Sequence, residues 1–319
     1  MPPAFASLAR FAARLRDAER RTEQALHPGE ISLRGWRELV LTTVRCTLKH
    51  RAPSQAAAAT FYAFLAFVPA MAALGSIYGL VADPDHLRRR LDAFSDLAPT
   101  GLLNLVGGEV LRFAREDLDD QIGAALGFGV AALFTATSSV RAIMGGLNTA
   151  YGAQETRKWW VRRLLAGGFA AGTILIASAA GVLVLKSADF AGEELSALRV
   201  LVLIGRWTVL YVGLVAALAL LYRYGPDRTR ARWRWVTPGS AVAAAAGLLT
   251  CAGTTVYLAR WAVYERTYGG LGSILAVLIW LWAMMMVVLA GAELNRAMEA
   301  KTSADTSVTG RDAIGRGAD

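Results

Sequence analysis

The sequence predicts an all-α fold: a polytopic membrane helix bundle with about six transmembrane helices and extra amphipathic helices at the interface. Three observations predict it. Hydrophobic types make up 55% of the 319 residues, above the roughly 45–50% of soluble domains. The excess is gathered into blocks of about twenty residues, the length needed to cross a bilayer core. Basic residues avoid the blocks and crowd their ends on one side.

The six spans are expected at about Ala56–Val81, Ile122–Gly145, Leu164–Leu185, Val200–Tyr222, Val236–Ala259 and Leu271–Ala292. In each, one helix satisfies its own backbone, as lipid demands. The second is the least apolar, since it holds Arg141 and several Thr and Ser. Residues 33–300 form the transmembrane domain. Ahead of it, residues 1–32 are an Arg/Ala/Glu-rich arm with Phe5, Leu8, Phe11 and Leu15 at helical spacing, which suits an amphipathic surface helix or a loose tail. No apolar core with a cleavage site makes it a secretory signal. Residues 33–52 read as a second interfacial helix with Trp36, Leu39, Val40, Thr43 and Val44 on one side. The outer loop 83–121 carries Leu87, Leu91, Phe94 and Leu97 and then an apolar cluster from Leu102 to Phe113, so short amphipathic or re-entrant helices are expected. Residues 301–319 are polar and expected to be a disordered tail.

Orientation follows from the 34 Lys and Arg. Residues 1–55, the segments after spans two and four, and the residues past span six together hold twenty-three of them; the opposite side holds nine, five of those in the long loop. The positive-inside rule then places both termini in the cytoplasm, with an even number of spans. Trp159 and Trp160 before span three, and Trp233 and Trp235 before span five, stand among arginines as interfacial anchors. The net charge of +9 is thus accounted for by topology and lipid headgroups, and no nucleic-acid partner is expected. Two cysteines, Cys46 and Cys251, and three scattered histidines form no disulfide framework or metal motif. No cofactor is expected.

Several positions stand out. Ala56, Ala59, Ala63, Ala66, Ala70 and Ala73 make a small-residue seam along span one, and Pro69 is a candidate hinge within it. Gly168 and Gly172 are candidate packing residues in span three, and Gly269 and Gly272 in the turn before span six. Arg141, Asn148, Glu293 and Asn295 are the candidate polar site. Arg141 shares a helical face with Thr137, Gly145 and Asn148, and Glu293 is an acid on the basic side, so an Arg141–Glu293 pair is expected there. Arg206, near the outer end of span four, is expected to snorkel.

Five stretches then resemble the YihY/BrkB family of bacterial inner-membrane proteins, in family order across residues 35–300. They are Ala57–Pro69; Ser138–Arg141 with Leu147–Gly152; Glu155–Trp159; Leu221–Pro226 with Trp233–Gly239; and Thr267–Gly272 through Gly291–Asn295. The family's usual small residue, often Ser, is Gly270 here. The resemblance implies a six-helix inner-membrane protein. Members have been labelled virulence or serum-resistance factors, and some carry an older ribonuclease BN label regarded as a misassignment. Its implied role is transport or translocation of a lipid-like or envelope component; a non-transport scaffold for envelope assembly is the alternative. A ribonuclease would need an acid–base or metal constellation that the scattered histidines do not make. The expected partners are membrane lipids, with a lipid-like or envelope substrate and self-association both open.

Overall fold

The computed structural model describes residues 33–81, 118–189, 197–228, 233–260 and 270–301, with residues 108 and 112. All seven elements in these segments are helices: α1 (Leu33–Lys49), α2 (Ala52–Val81), α3 (Leu118–Tyr151), α4 (Trp159–Asp189), α5 (Ala197–Tyr224), α6 (Trp233–Arg260) and α7 (Gly270–Lys301). Among the described residues, five stretches are long and apolar enough to cross a membrane: Ala52–Ala73, Ile122–Tyr151, Ile204–Tyr224, Val236–Thr254 and Ile274–Ala300. They correspond to five of the six expected spans. The remaining one falls on α4, a helix of 31 residues whose side chains beyond Ile176 lie largely outside the described set. The arm, most of the loop 83–121, and the tail past residue 301 also lie outside it, as does Gly269.

The spans expected to end at Gly145 and Ala292 continue as helix to Tyr151 and Lys301. At 1.5 Å per residue, the 34 residues of α3 and the 32 of α7 measure roughly 50 Å, against roughly 30 Å of hydrocarbon. Their surplus turns can therefore carry polar residues without placing them in lipid.

The alanine seam packs. Ala56, Ala59, Ala66 and Ala73 are buried while Phe61, Leu65 and Val68 on the other side are exposed. The missing side-chain bulk lets α3 come close enough for Ser139 Oγ to donate 2.8 Å to the Ala59 carbonyl, the close approach that small residues permit in lipid. The pair α2–α3 is the most extensive in the bundle, and α7 packs on α1, α2, α3 and α6. α2 runs unbroken through Pro69. Among the described residues Gly168 and Gly172 make no close packing: a Cβ at either would meet nothing within 4 Å. Gly146, Gly239 and Gly291 pack instead, each with side-chain atoms where a Cβ would go. Gly272 is buried in the first turn of α7. Arg206 is buried rather than snorkelling, its guanidinium 5.6 Å from the Trp207 ring.

α1 turns into α2 with almost no loop. His50 N–H donates to the Cys46 carbonyl and Arg51 N–H to that of Leu48, and Arg51 takes φ 55°. A left-handed residue after a helix is ordinarily Gly, since a Cβ there is crowded. We predict that Arg51→Gly raises stability by up to about 1 kcal/mol, read as a higher thermal midpoint in detergent.

Candidate functional site: a buried polar girdle at one end of the bundle

The surplus turns of α3 and α7 meet the α3–α4 and α5–α6 connections and the α1–α2 turn at one end of the molecule. Polar side chains from all of them interlock there.

Three groups on α7 anchor the girdle. Glu293 is 2% exposed, and its Oε1 lies 2.7 Å from His50 Nδ1. Asn295, one turn from Glu299, accepts the Gly239 N–H through Oδ1 at 2.9 Å. Pro238 just before it has no N–H and disturbs the helical ladder, and a neighbouring helix supplies the acceptor. Glu299, fully buried, accepts both hydrogen bonds from Arg228 Nη1, at 3.0 and 2.9 Å. Arg228 also donates 3.3 Å to the Tyr222 carbonyl and lies over the Tyr151 ring, 3.8 Å from its centroid. This charge is thus out of water but held by an acid, a carbonyl and an aromatic face, the compensation burial requires.

Asn148, near the end of α3, joins the two connections. Its Nδ2 donates to Glu155 Oε2 (2.9 Å), and its Oδ1 accepts the Asp227 N–H (2.8 Å). Asp227 Oδ2 accepts both the N–H and the hydroxyl of Thr156, each at 2.7 Å. Arg157 donates to the carbonyls of Gly225 and Pro226 and pairs with Asp227 at 3.4 Å. Gly152, at φ 64°, turns the chain out of α3 so that this connection can reach its neighbour. Burial pushes the Asp227 carboxyl up. The hydrogen bonds from Thr156 and the charge and N–H of Arg157 outweigh it, and the carboxyl is held below its usual range.

The direction of that shift fixes a pH dependence. A carboxyl with a lowered folded-state pKa contributes stability that is present above the ordinary carboxylate value of about 4 and lost as pH falls through the folded value. The thermal midpoint of Asp227→Asn should therefore lie below wild type by a constant amount at pH 6–8, and the gap should narrow below about pH 4. A gap that does not change with pH would remove the ionised carboxylate from the account.

Beside the girdle, α1, α3 and α7 enclose an open cavity of about 300 Å³. Its polar lining is Thr42, Cys46, His50, Thr149, Glu293 and Arg296, and three alanines with Gly152 complete the wall. Gln55 bridges its rim, donating 3.2 Å to Thr149 Oγ1. Among the described residues no three His, Cys, Asp or Glu side chains are grouped to hold a metal ion.

The structure thus brings Asn148, Glu293 and Asn295 to one end of the bundle but does not join Glu293 to Arg141. Glu293 is met by His50, 243 residues away in sequence. Arg141, half-buried on α3, takes part through its backbone carbonyl, which accepts from Arg162 Nη2 at 3.2 Å. The reason is packing: α1 lies against α7, and the turn that follows it sets His50 2.7 Å from the acid. Sequence reasoning missed His50, Arg228, Asp227 and Glu299. The spacing of Asn295 and Glu299, four apart on a helix outlasting the membrane, was the available signal.

Comparison with known proteins agrees with this architecture. The family described as "Virulence factor BrkB" matches residues 43–313. "Putative ribonuclease-like protein YfkH" of Bacillus subtilis is 29% identical over 216 residues, covering 64% of this chain and 75% of that protein. A "UPF0761 membrane protein" of Verminephrobacter eiseniae is 28% identical over 293 residues, covering 86% of this chain; the chain spans only 65% of that relative's length. "UPF0761 membrane protein IL2447" of Idiomarina loihiensis is 26% identical, covering 67% of this chain and 74% of that protein. No solved structure matches the chain. With apolar helices long enough to cross a bilayer and a family match running over most of its length, the chain is a membrane protein that belongs to the Virulence factor BrkB family.

Proposed function

We propose that the protein translocates a lipid-like envelope component across the bacterial inner membrane, with both termini in the cytoplasm and no enzymatic step. The observation that carries this reading is the cavity of about 300 Å³ beside the girdle. It combines a nearly buried carboxylate, a histidine and an arginine with alanine walls at the end of a bundle whose outer surfaces are apolar. A site for an amphiphile needs that pairing of a few fixed polar groups with an apolar surround. The ribonuclease-like name belongs to the Bacillus relative, and the fully buried acid of the girdle, Glu299, is neutralised by Arg228.

The test is reconstitution of the purified chain in liposomes, with dithionite quenching of fluorescent phospholipid to read scrambling and a parallel solute-release assay. Translocation faster than in empty liposomes, reduced by Glu293→Gln, supports the reading. Intact liposomes with neither activity, made with protein shown to be folded, would leave the scaffold role. Orientation is checked separately: a reporter after Ala300 should be cytoplasmic, and one near Pro99 should be outside, as the charge asymmetry predicts. Both on one side would overturn the even span count.

A further inference from the structure

Helix α1 divides its surface three ways. Gly35, Leu39, Thr43 and Thr47, four apart, are buried. Leu39 packs against Leu294, Ala297 and Met298 of α7, and the Thr43 and Thr47 hydroxyls bond back to carbonyls of their own helix, so this side tolerates burial. Thr42, Cys46 and His50, again four apart, line the cavity. The rest faces away from the protein. It holds Val40, Leu41, Val44 and Leu48, between 48% and 63% exposed, and the exposed Arg37, Arg45 and Lys49, with Arg51 just beyond the helix end. At 100° per residue Arg37 falls within the apolar stripe, while Arg45 and Lys49 run along one border. The single acid on α1 is Glu38.

Two observations identify what covers this face. Lys49 is three residues from Ala52, where a membrane-crossing helix begins, so the end of α1 is within about 10 Å of the bilayer surface. Its charge is also one-sided: four exposed cations against one acid complement a negatively charged surface. A basic helix with an apolar stripe, held parallel to that surface by another protein segment, embeds the stripe at the headgroup–acyl boundary and leaves its cations among phosphates.

We infer that the outward face of α1 is a recognition surface for anionic phospholipid, with Val40, Leu41, Val44 and Leu48 embedded and Arg37, Arg45, Lys49 and Arg51 binding the headgroup phosphates. This does not depend on the translocation reading, since a scaffold would use the same surface. At 100° per residue Thr42, which lines the cavity, falls next to Arg45 and Lys49, so lipid gathered by these cations lies beside the cavity.

The experiment places a bimane label at Val44→Cys in full-length protein carrying Cys46→Ala and Cys251→Ala, reconstituted in nanodiscs. Brominated phosphatidylglycerol or brominated phosphatidylcholine is supplied at equal mole fraction. The stripe should be quenched by both, and the anionic quencher should act as though locally enriched by about fivefold, the factor for roughly 1 kcal/mol of attraction. The combined change R37Q, R45Q, K49Q and R51Q should bring the two quenchers level. Should that variant fail to fold, raising salt on the otherwise unmutated cations should erase the same difference. Equal quenching by both lipids at low salt would overturn the headgroup assignment. An unquenched label would show the face covered by protein or water, and label–label transfer between chains would assign it to a second copy.

Discussion

Glu299→Ala should be among the most destabilising single changes in the molecule, with an expected loss of about 3–5 kcal/mol. The carboxylate is fully buried and takes both hydrogen bonds from Arg228 Nη1, while the Arg228 side chain is 3% exposed. Removing the acid leaves a guanidinium that cannot shed its charge at any accessible pH, trapped between the Tyr151 ring and the Tyr222 carbonyl. A bare buried charge costs far more than the pair itself contributes. The double variant Arg228→Met with Glu299→Met should accordingly recover most of the loss. Arg228→Lys, with Glu299 intact, should itself lower stability, because a compact ammonium cannot lie flat on the tyrosine while reaching both carboxylate oxygens. Thermal unfolding in detergent of wild type, Arg228→Met, Glu299→Met and the double variant decides it. Single-variant losses that merely add in the double variant would mean that the two side chains act independently.

Gly291→Ala should lower stability by about 1–3 kcal/mol through overpacking. A Cβ there would lie 2.7 Å from the Ala243 Cβ and press on the Tyr222 hydroxyl, which donates 2.7 Å to the Val288 carbonyl one turn earlier on α7. Both obstacles are rigid: one is bound to helix backbone and the other is a ring oxygen already committed to a hydrogen bond. Combining Gly291→Ala with Tyr222→Phe removes the hydroxyl and should restore part of the loss, whereas Gly168→Ala, where a Cβ meets nothing, should be neutral or slightly stabilising. The unfolding midpoints of the three variants check this, and an equal change at Gly291 and Gly168 would show that close packing at Gly291 does not set the cost, since the gain in helix propensity is the same at both.

These two sites mark where the reading of the sequence changes character. The alanine seam was legible because it is local: a three–four spacing on one helix specifies which side can approach a neighbour, and Ala56 and Ala59 are buried as that spacing requires. Gly168 and Gly172 have an equally good local spacing, yet a Cβ at either would meet nothing within 4 Å among the described residues. Gly291 has no such repeat and packs tightly, because α5 and α6 happen to converge on it. A motif states what a helix surface would permit; the arrangement of neighbours decides whether it is used. The polar candidates show the same division. Glu293 and Asn295 were conspicuous as polar residues at the end of an apolar helix. Their partners were not, since His50 comes from the α1–α2 turn and Gly239 from another helix.

The sequence by itself determined the class of the molecule, the family resemblance and the approximate positions of the apolar helices. Each rests on properties read within one segment: a block long enough for the bilayer, alternating small residues, cations at the ends. Only the tertiary structure decided the girdle. His50 meets Glu293 across 243 residues, Arg228 meets Glu299 across 71, and Asp227 meets Thr156 across 71. By the lysine and arginine count alone, some twenty cations share the predicted cytoplasmic side, and any of them could answer a buried acid there. Which one does so depends on the order of helices around the bundle and on the turn at Arg51 that folds α1 onto α7, because an ion pair in a low-dielectric site forms only between groups that packing has already brought within about 3 Å of each other.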